Sequence, residues 1–440
     1  MISISPQRRD ELLDALRRGT VPSSSLDLLA VGLEGFHPTL VSELKAVGSG
    51  RGVLKAVRGE YGSGKTFFAR WLEEMARQAG FASSEVQVSE TETPLHRLET
   101  VYRRLVENLS TTDTRLGALR SIIDGWFYTL EEEILQRGEI ATPDEAHLLE
   151  RTNTLMERRL EQVTRQAPTF AACLRGYRSA LAEEDREVAE GLLAWLSGSP
   201  NVAARIKHKA GIKGDIDHFG ALGFLRGLLT VLRDSGNPGL VLVLDEVETL
   251  QRVRGDVRDK GLNALRQLMD EIEAGRFPGL YLLVTGTPAF FDGPYGVQRL
   301  PPLAQRLHVD FRTDPRFDNP RAVQIRLSGF DLEKLRAVGV KVRDTYASHC
   351  PNGERVRRLA DDAYLRDLAH AVTGELGGKV GIAPRVFLKK LVAEVLDRID
   401  QFSDFDPRRH YALTVSDTEL TDVERNARGV SSVDDIELDL

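Results

Sequence analysis

Residues 52–71 read GVLKAVRGEYGSGKTFFARW, and this stretch decides the fold. Its centre, Gly59-Glu60-Tyr61-Gly62-Ser63-Gly64-Lys65-Thr66, is a full match to the phosphate-loop pattern G-x-x-x-x-G-K-[ST]. Ahead of it, the β-rich run Val53, Leu54, Ala56, Val57 predicts a strand. Behind it, Phe67, Phe68, Trp71, Leu72 and Met75 keep helical spacing. Glycines let backbone N–H groups curl around a polyanion, and the following helix N-terminus adds partial positive charge. In such a loop Lys65 reaches the β- and γ-phosphates and the Thr66 hydroxyl ligates Mg²⁺. The expectation is an α/β P-loop fold that holds a nucleoside triphosphate.

The second decisive stretch is Gly239 to Leu250, GLVLVLDEVETL. Leu240 to Leu244 are all apolar, as in a strand buried on both faces of a parallel sheet. The strand ends in Asp245-Glu246, where Asp245 suits Mg²⁺ coordination and Glu246 suits activation of a water molecule. The guanine-reading N-K-x-D element of Ras-type GTPases is absent, and small-molecule kinases need no adjacent Glu, so the pair favours ATP hydrolysis. A further buried strand, Leu280 to Val284, ends in Thr285-Gly286-Thr287-Pro288. Thr285, or else Thr287, would lie between the carboxylates and the γ-phosphate.

Upstream, residues 8–18 predict a short amphipathic helix, and Val21 and Pro22 either pack on the nucleotide base or form a plain linker. Downstream of the loop helix comes a strand at Glu85–Ser89, then a long helical region from about Pro94 to Leu232. Further helices are expected near Ala118–Arg137, Asp144–Arg165 and Glu183–Leu196, more than one crossover requires, so this region reads as an inserted module. Within it Arg205, Lys207 and Lys209 form a concentrated basic run, suited either to a DNA backbone or, with greater weight, to a solvated helix face. Arg306, with Arg299 second, precedes a last short strand and suits an arginine finger acting on a neighbouring subunit, or a surface ion pair. From Asp331, a plausible N-cap, to about Phe402 the pattern is helical, and Arg385 sits at a helix start. Residues 321–358 carry nine Lys/Arg against four Asp/Glu, a second basic region.

Composition bounds the class. The 440 residues are 41% hydrophobic and 28% charged, with no apolar run of membrane-spanning length and two cysteines without metal spacing. A cytoplasmic protein without a signal peptide is expected. Of the net charge of −7, residues 415–440 contribute −6, so the body is nearly neutral and its acidity does not exclude nucleic acid. The segment past Pro407 reads as a flexible acidic end.

Taken in order, these motifs resemble AAA+ ATPases, most closely the Orc-like replication-initiator branch. The resemblance implies that Lys65 and Thr66 are the Walker A residues and Asp245 and Glu246 the Walker B residues. It places Thr285 at sensor 1, Arg306 at the arginine finger and Arg385 at sensor 2. A narrower likeness lies in Arg18-Gly19-Thr20-Val21-Pro22, GEYGSGKTFFARWL, PLHRLETVYRRLV, LDEVETL and TGTPAFFD. These pieces look like the BREX-system ATP-binding family of bacteria, BrxC/BrxD, with total length pointing to BrxD. That likeness implies a homo-oligomeric ATPase with ATP and Mg²⁺ in a phage-defence system, acting on or near DNA beside other BREX components. A slow nucleotide-dependent switch or scaffold is the alternative. The expected organisation is a core at 1–330 with a helical insert at about 94–232, a helical lid at 331–403 and an acidic tail at 404–440. The short segment after the lid leaves no room for a winged helix, so DNA would meet the insert or lid.

Overall fold

The computed structural model describes residues 5–137, 145–375, 384–420 and 425. Five strands form one parallel sheet: β1 (Val53–Arg58), β2 (Ala82–Gln87), β3 (Leu240–Asp245), β4 (Leu280–Gly286) and β5 (Gln324–Arg326). Their spatial order is β2-β3-β4-β1-β5. Parallel strands cannot be joined by tight turns, and helices fill the connections. Because β4 lies between β1 and β3, Val57 pairs with Thr285 on one side while Leu244 pairs with Val284 on the other.

The side-chain period of two sorts the strands onto two apolar layers. Val57, Val241, Val243, Tyr281 and Leu283 pack against Phe68, Trp71 and Leu72 of the phosphate-loop helix (Lys65–Gln78) and Leu40 and Leu44 of the helix His37–Gly48. Leu242, Leu244, Leu282 and Val284 face the other way, into a core shared with the helices between β2 and β3. A lysine in a central strand needs a partner: Lys55, 1% exposed, meets Glu43 Oε1 at 2.6 Å and donates to the Pro320 carbonyl at 2.7 Å.

β2 begins three residues earlier than the sequence reading placed it, at Ala82 rather than Glu85. The reason is chemical. Ser83 and Ser84 do not read as core residues, yet both are buried. Ser83 Oγ lies 3.0 Å from Ser110 Oγ, and Ser84 Oγ donates to the Leu105 carbonyl at 2.8 Å. Partners supplied by the inserted region satisfy their hydroxyls, which local patterning cannot reveal.

Between β2 and β3 the described residues form helices at Leu98–Glu107, Leu119–Gln136, Glu145–Arg159, Glu161–Gln166, Pro168–Ala182, Arg186–Leu196, Ala204–Lys209 and His218–Asp234. Phe224 of the last of these meets Tyr102, Phe170 and Trp195 edge-on, at centroid separations of 5.2–5.8 Å. The Trp126 indole N–H donates to Asp234 at 2.7 Å, so a large apolar ring is buried with its one polar atom satisfied.

The third apolar cluster joins helices Leu332–Ala347, Gly353–Leu359 and Asp362–Glu375 with the run that starts at Pro384. Asp331 caps the first, accepting from Lys334 N at 2.7 Å. Two findings depart from the expected organisation. The helix Pro6–Arg18, grouped above with the core, buries Leu12, Leu13 and Leu16 in this C-terminal cluster. Its Arg17 makes a bidentate pair with Asp397, two bonds of 2.8 Å. The segment past Pro407, expected to be flexible, also packs there through Val415 and Leu420. Glu419 meets Lys389 and Lys390 at 3.4 and 2.9 Å. Residues 426–440 of the acidic tail and Gly377–Ala383 of the turn before Arg385 lie outside the described residues.

Candidate functional site

The phosphate loop leaves β1 at Arg58 and enters its helix at Lys65. Two glycines take backbone angles that other residues adopt at a cost: Gly62 at φ +75° and Gly64 at φ +93°. Gly59 is needed for space, since a Cβ there would sit 2.2 Å from Ser63 Oγ. Gly64, the helix N-cap residue, has no side chain to cap the first turn, so its N–H groups are left for a ligand. The buried Ser63 hydroxyl has no hydrogen-bond partner among the described residues.

Lys65 Nζ donates to the carbonyl oxygens of Gly59 and Glu60 at 2.9 and 3.3 Å and lies 5.1 Å from the centre of the Tyr61 ring. Beside it Thr66 Oγ1 donates to Asp245 Oδ2 at 2.9 Å. Thr285 Oγ1 donates to the other oxygen of the same carboxylate, and in turn accepts from Glu246 N at 3.1 Å. The sheet order makes this convergence: β1, β4 and β3 end side by side, carrying the loop, Thr285 and Asp245 respectively. Glu246 sits in the left-handed region at φ +60°, a conformation that costs a non-glycine residue on the order of 1–3 kcal/mol. Its Oε2 accepts from Gln87 Nε2 at 2.8 Å.

A cavity of about 530 Å³ opens in front of these groups. Tyr61 to Thr66 and Glu246 form one wall, Val21 and Pro22 another, while Val338 and Arg385 come from the C-terminal helices and Phe330 from the segment that leads into them. Arg385 Nη2 donates to the Glu419 carbonyl at 2.6 Å, which ties the strap after residue 404 to the cavity rim. Glu248 also lines the cavity, 4% exposed, and burial pushes its carboxyl up while Lys65 pulls it down.

The residues singled out in the sequence therefore divide. Gly59 to Thr66, Asp245, Glu246 and Thr285 come together, with Val21, Pro22 and Arg385 across the cavity. Thr287, the alternative to Thr285, instead caps the helix Pro288–Asp292 by accepting from Phe290 N at 3.3 Å. Arg306 is not on the cavity wall. It pairs with Asp270 and, at 3.5 Å, with Glu273, while Arg299 pairs with Asp259 at 2.8 Å. In the basic run each cation has an acid: Arg205 with Glu187, Lys207 with Asp215 at 3.0 Å and Lys209 with Asp185 at 2.6 Å. The sequence reading missed Gln87 and Glu248. Gln87 is the register partner of Asp245 across β2 and β3, and Glu248 lies within LDEVETL, but neither pattern names a role.

Among the described residues no helix is long and apolar enough to cross a membrane, and no group of three or more His, Cys, Asp or Glu is placed to hold a metal ion. No curated protein and no solved structure matches the chain. The family model described as "BREX system ATP-binding protein BrxC/D" matches residues 4–415, and the chain belongs to that family.

Proposed function

We propose that this protein binds ATP with Mg²⁺ in the cavity and hydrolyses it, as an oligomeric AAA+-type component of a bacterial BREX phage-defence system. The observation that carries the reading is the Asp245 carboxylate, shared by the Thr66 and Thr285 hydroxyls, with Glu246 next in the chain. A hydroxyl and a carboxylate 2.9 Å apart are hard oxygen donors of the kind Mg²⁺ takes alongside phosphate and water, so Thr66 and Asp245 fit that ion. Bound there, Mg²⁺ would neutralise charge on the β- and γ-phosphates.

The chain's own groups do the rest. Lys65 and the uncapped helix N-terminus bind the polyphosphate. Thr285 fixes Asp245 from behind and, through its bond from Glu246 N, sets where the Glu246 side chain begins. Glu246 takes the proton of the attacking water. Val21 and Pro22 offer apolar surface to the base, and Arg385 offers charge to the phosphates from the C-terminal side. Arg306 serves a neighbouring subunit by exchanging its Asp270 and Glu273 partners for phosphate. Contact with DNA falls to Arg205, Lys207 and Lys209 or to the 321–358 region, and in both regions phosphate would have to displace acids that sit beside the cations, among them Glu187 at Arg205, Asp318 at Arg326 and Asp362 at Arg343.

Steady-state ATPase assays on wild type and Glu246→Gln test the hydrolytic reading, with loss of about 10²–10⁴-fold expected for removal of the base. Equal turnover by the two proteins, with and without DNA, sinks it. A second reading, a slow switch that recruits partners, is favoured by one observation: Gln87 holds Glu246 Oε2 at 2.8 Å, which restrains the side chain and lowers the basicity of its carboxylate. Faster hydrolysis by Gln87→Ala would support that restraint.

A further inference from the structure

Glu248 is hard to explain as a structural residue. Its side chain is 4% exposed, yet neither carboxylate oxygen has a hydrogen-bond partner among the described residues. A buried carboxylate without hydrogen bonds is unfavourable unless an opposite charge offsets it. The salt-bridge partner is Lys65, whose Nζ lies 3.7 Å from Oε1, while Asp245 and Glu246 add repulsion. The phosphate loop and the helical turn Val247–Gln251 thus place one anion against the ammonium that phosphate would need.

We propose that Glu248 is a positioning residue of the nucleotide site, holding Lys65 from the side and competing with phosphate for its charge. The proposal rests on the reading of this cavity as the ATP site. Lys65 Nζ has three donors, two committed to the carbonyls of Gly59 and Glu60, and Glu248 Oε1 lies 3.7 Å away as an ion-pair partner beyond hydrogen-bond length. A phosphate arriving at Nζ meets Glu248 as a like charge in a site of low dielectric, so the carboxylate weakens nucleotide binding and speeds release. Glu248 acts through Lys65 and touches no reacting atom.

The test is titration calorimetry with ATP and Mg²⁺ at pH 8 on the full chain, with kcat and KM measured in parallel. Glu248→Gln keeps the shape and removes the charge, and ATP is expected to bind about tenfold tighter while kcat falls several-fold, because a like charge beside the phosphates is gone. Glu248→Asp keeps the charge and is expected to stay within about threefold of wild-type affinity. Unchanged or weaker ATP binding by a folded Glu248→Gln protein overturns the proposal and leaves the site intact. Should Glu248→Gln not fold, tighter binding by Glu248→Asp overturns it and wild-type-like binding supports it. A wild-type protein that binds no ATP overturns both the site and this proposal.

Discussion

On the sheet side of the cavity, Thr66, Asp245, Thr285 and the Glu246 amide form one hydrogen-bonded chain anchored at the ends of β1, β3 and β4. On the helical side, Phe330 and Val338 offer apolar surface, and the cation Arg385 is tied to the carbonyl of Glu419 in a strap. The first wall is set by strand ends in fixed register, which holds Thr66 and Asp245 together although they lie 179 residues apart in the chain. The second is assembled from the N-terminal helix, the C-terminal helices and residues 405–420, whose mutual packing alone brings Arg385 to the rim. Backbone hydrogen bonds between strands hold the first wall, and side-chain packing between helices holds the second.

The largest effect expected of this contrast comes from the sheet side. Asp245→Ala removes the shared anchor of Thr66 and Thr285 together with the proposed Mg²⁺ donor, and ATP turnover is expected to fall at least as far as in Glu246→Gln, about 10²–10⁴-fold. Thr285→Ala leaves Asp245 one partner short in a buried place and is expected to lose about 10–100-fold in kcat with about 1–3 kcal/mol of stability. If Thr285→Ala keeps wild-type kcat, the relay is only structural and the contrast between the walls weakens.

The helical wall is broken through its core instead. Phe387 is fully buried among the C-terminal helices, its ring meeting the position where Gly339 would carry a Cβ at 2.9 Å. Phe387→Ala is expected to cost about 3–4 kcal/mol of the stability of that cluster. Urea unfolding should then show the C-terminal helices melting before the sheet. A single shared transition, unchanged in shape, would mean that the two walls unfold as one unit.

How far the sequence could foretell this follows the same division. That Lys65, Thr66, Asp245 and Glu246 lie together is legible because each stands in a short pattern of neighbouring residues. Thr285 is legible because a strand end is a local feature. Ser83 and Ser84 defeated the β2 boundary because Leu105 and Ser110 satisfy their hydroxyls from another segment. Glu419 was read as part of a loose acidic end, since composition does not show Lys389 and Lys390 waiting for it. Gln87 and Glu248 escaped because sheet register and burial, not spacing, give them their neighbours.

Two carboxylates, Glu73 buried and Glu419 half-buried, sharpen the comparison through opposite pH dependence. Glu73, on the helix that follows the phosphate loop, is pushed up from the usual 4.5 to about 7 by burial, with the nearby Glu85 charge adding to it. The folded protein keeps a proton there that the unfolded chain releases. Its contribution is therefore full below about pH 4.5 and lost as pH rises through 7. Wild type should lose on the order of 1–3 kcal/mol from this group between pH 5 and pH 8, and Glu73→Gln should flatten that slope in urea titrations. An equal slope in the variant assigns the effect elsewhere.

Glu419, in the strap, shows the reverse. Burial pushes it up, but hydrogen bonds from Lys390 and the Ser416 amide outweigh burial and bring it down from 4.5 to about 2. Its contribution is present above about pH 4.5 and fades as pH falls toward 2. Because water still reaches the pair, screening holds this below about 1 kcal/mol. The effect is small in global stability but concentrated where Arg385 is held. Amide hydrogen exchange over residues 405–420 should show lower protection in Glu419→Gln than in wild type at pH 7, with the difference shrinking as pH falls below about 4.5 toward 2. Equal protection at pH 7 would mean that Val415 and Leu420 hold the strap without the ion pairs, and that the helical wall is as firmly set as the sheet.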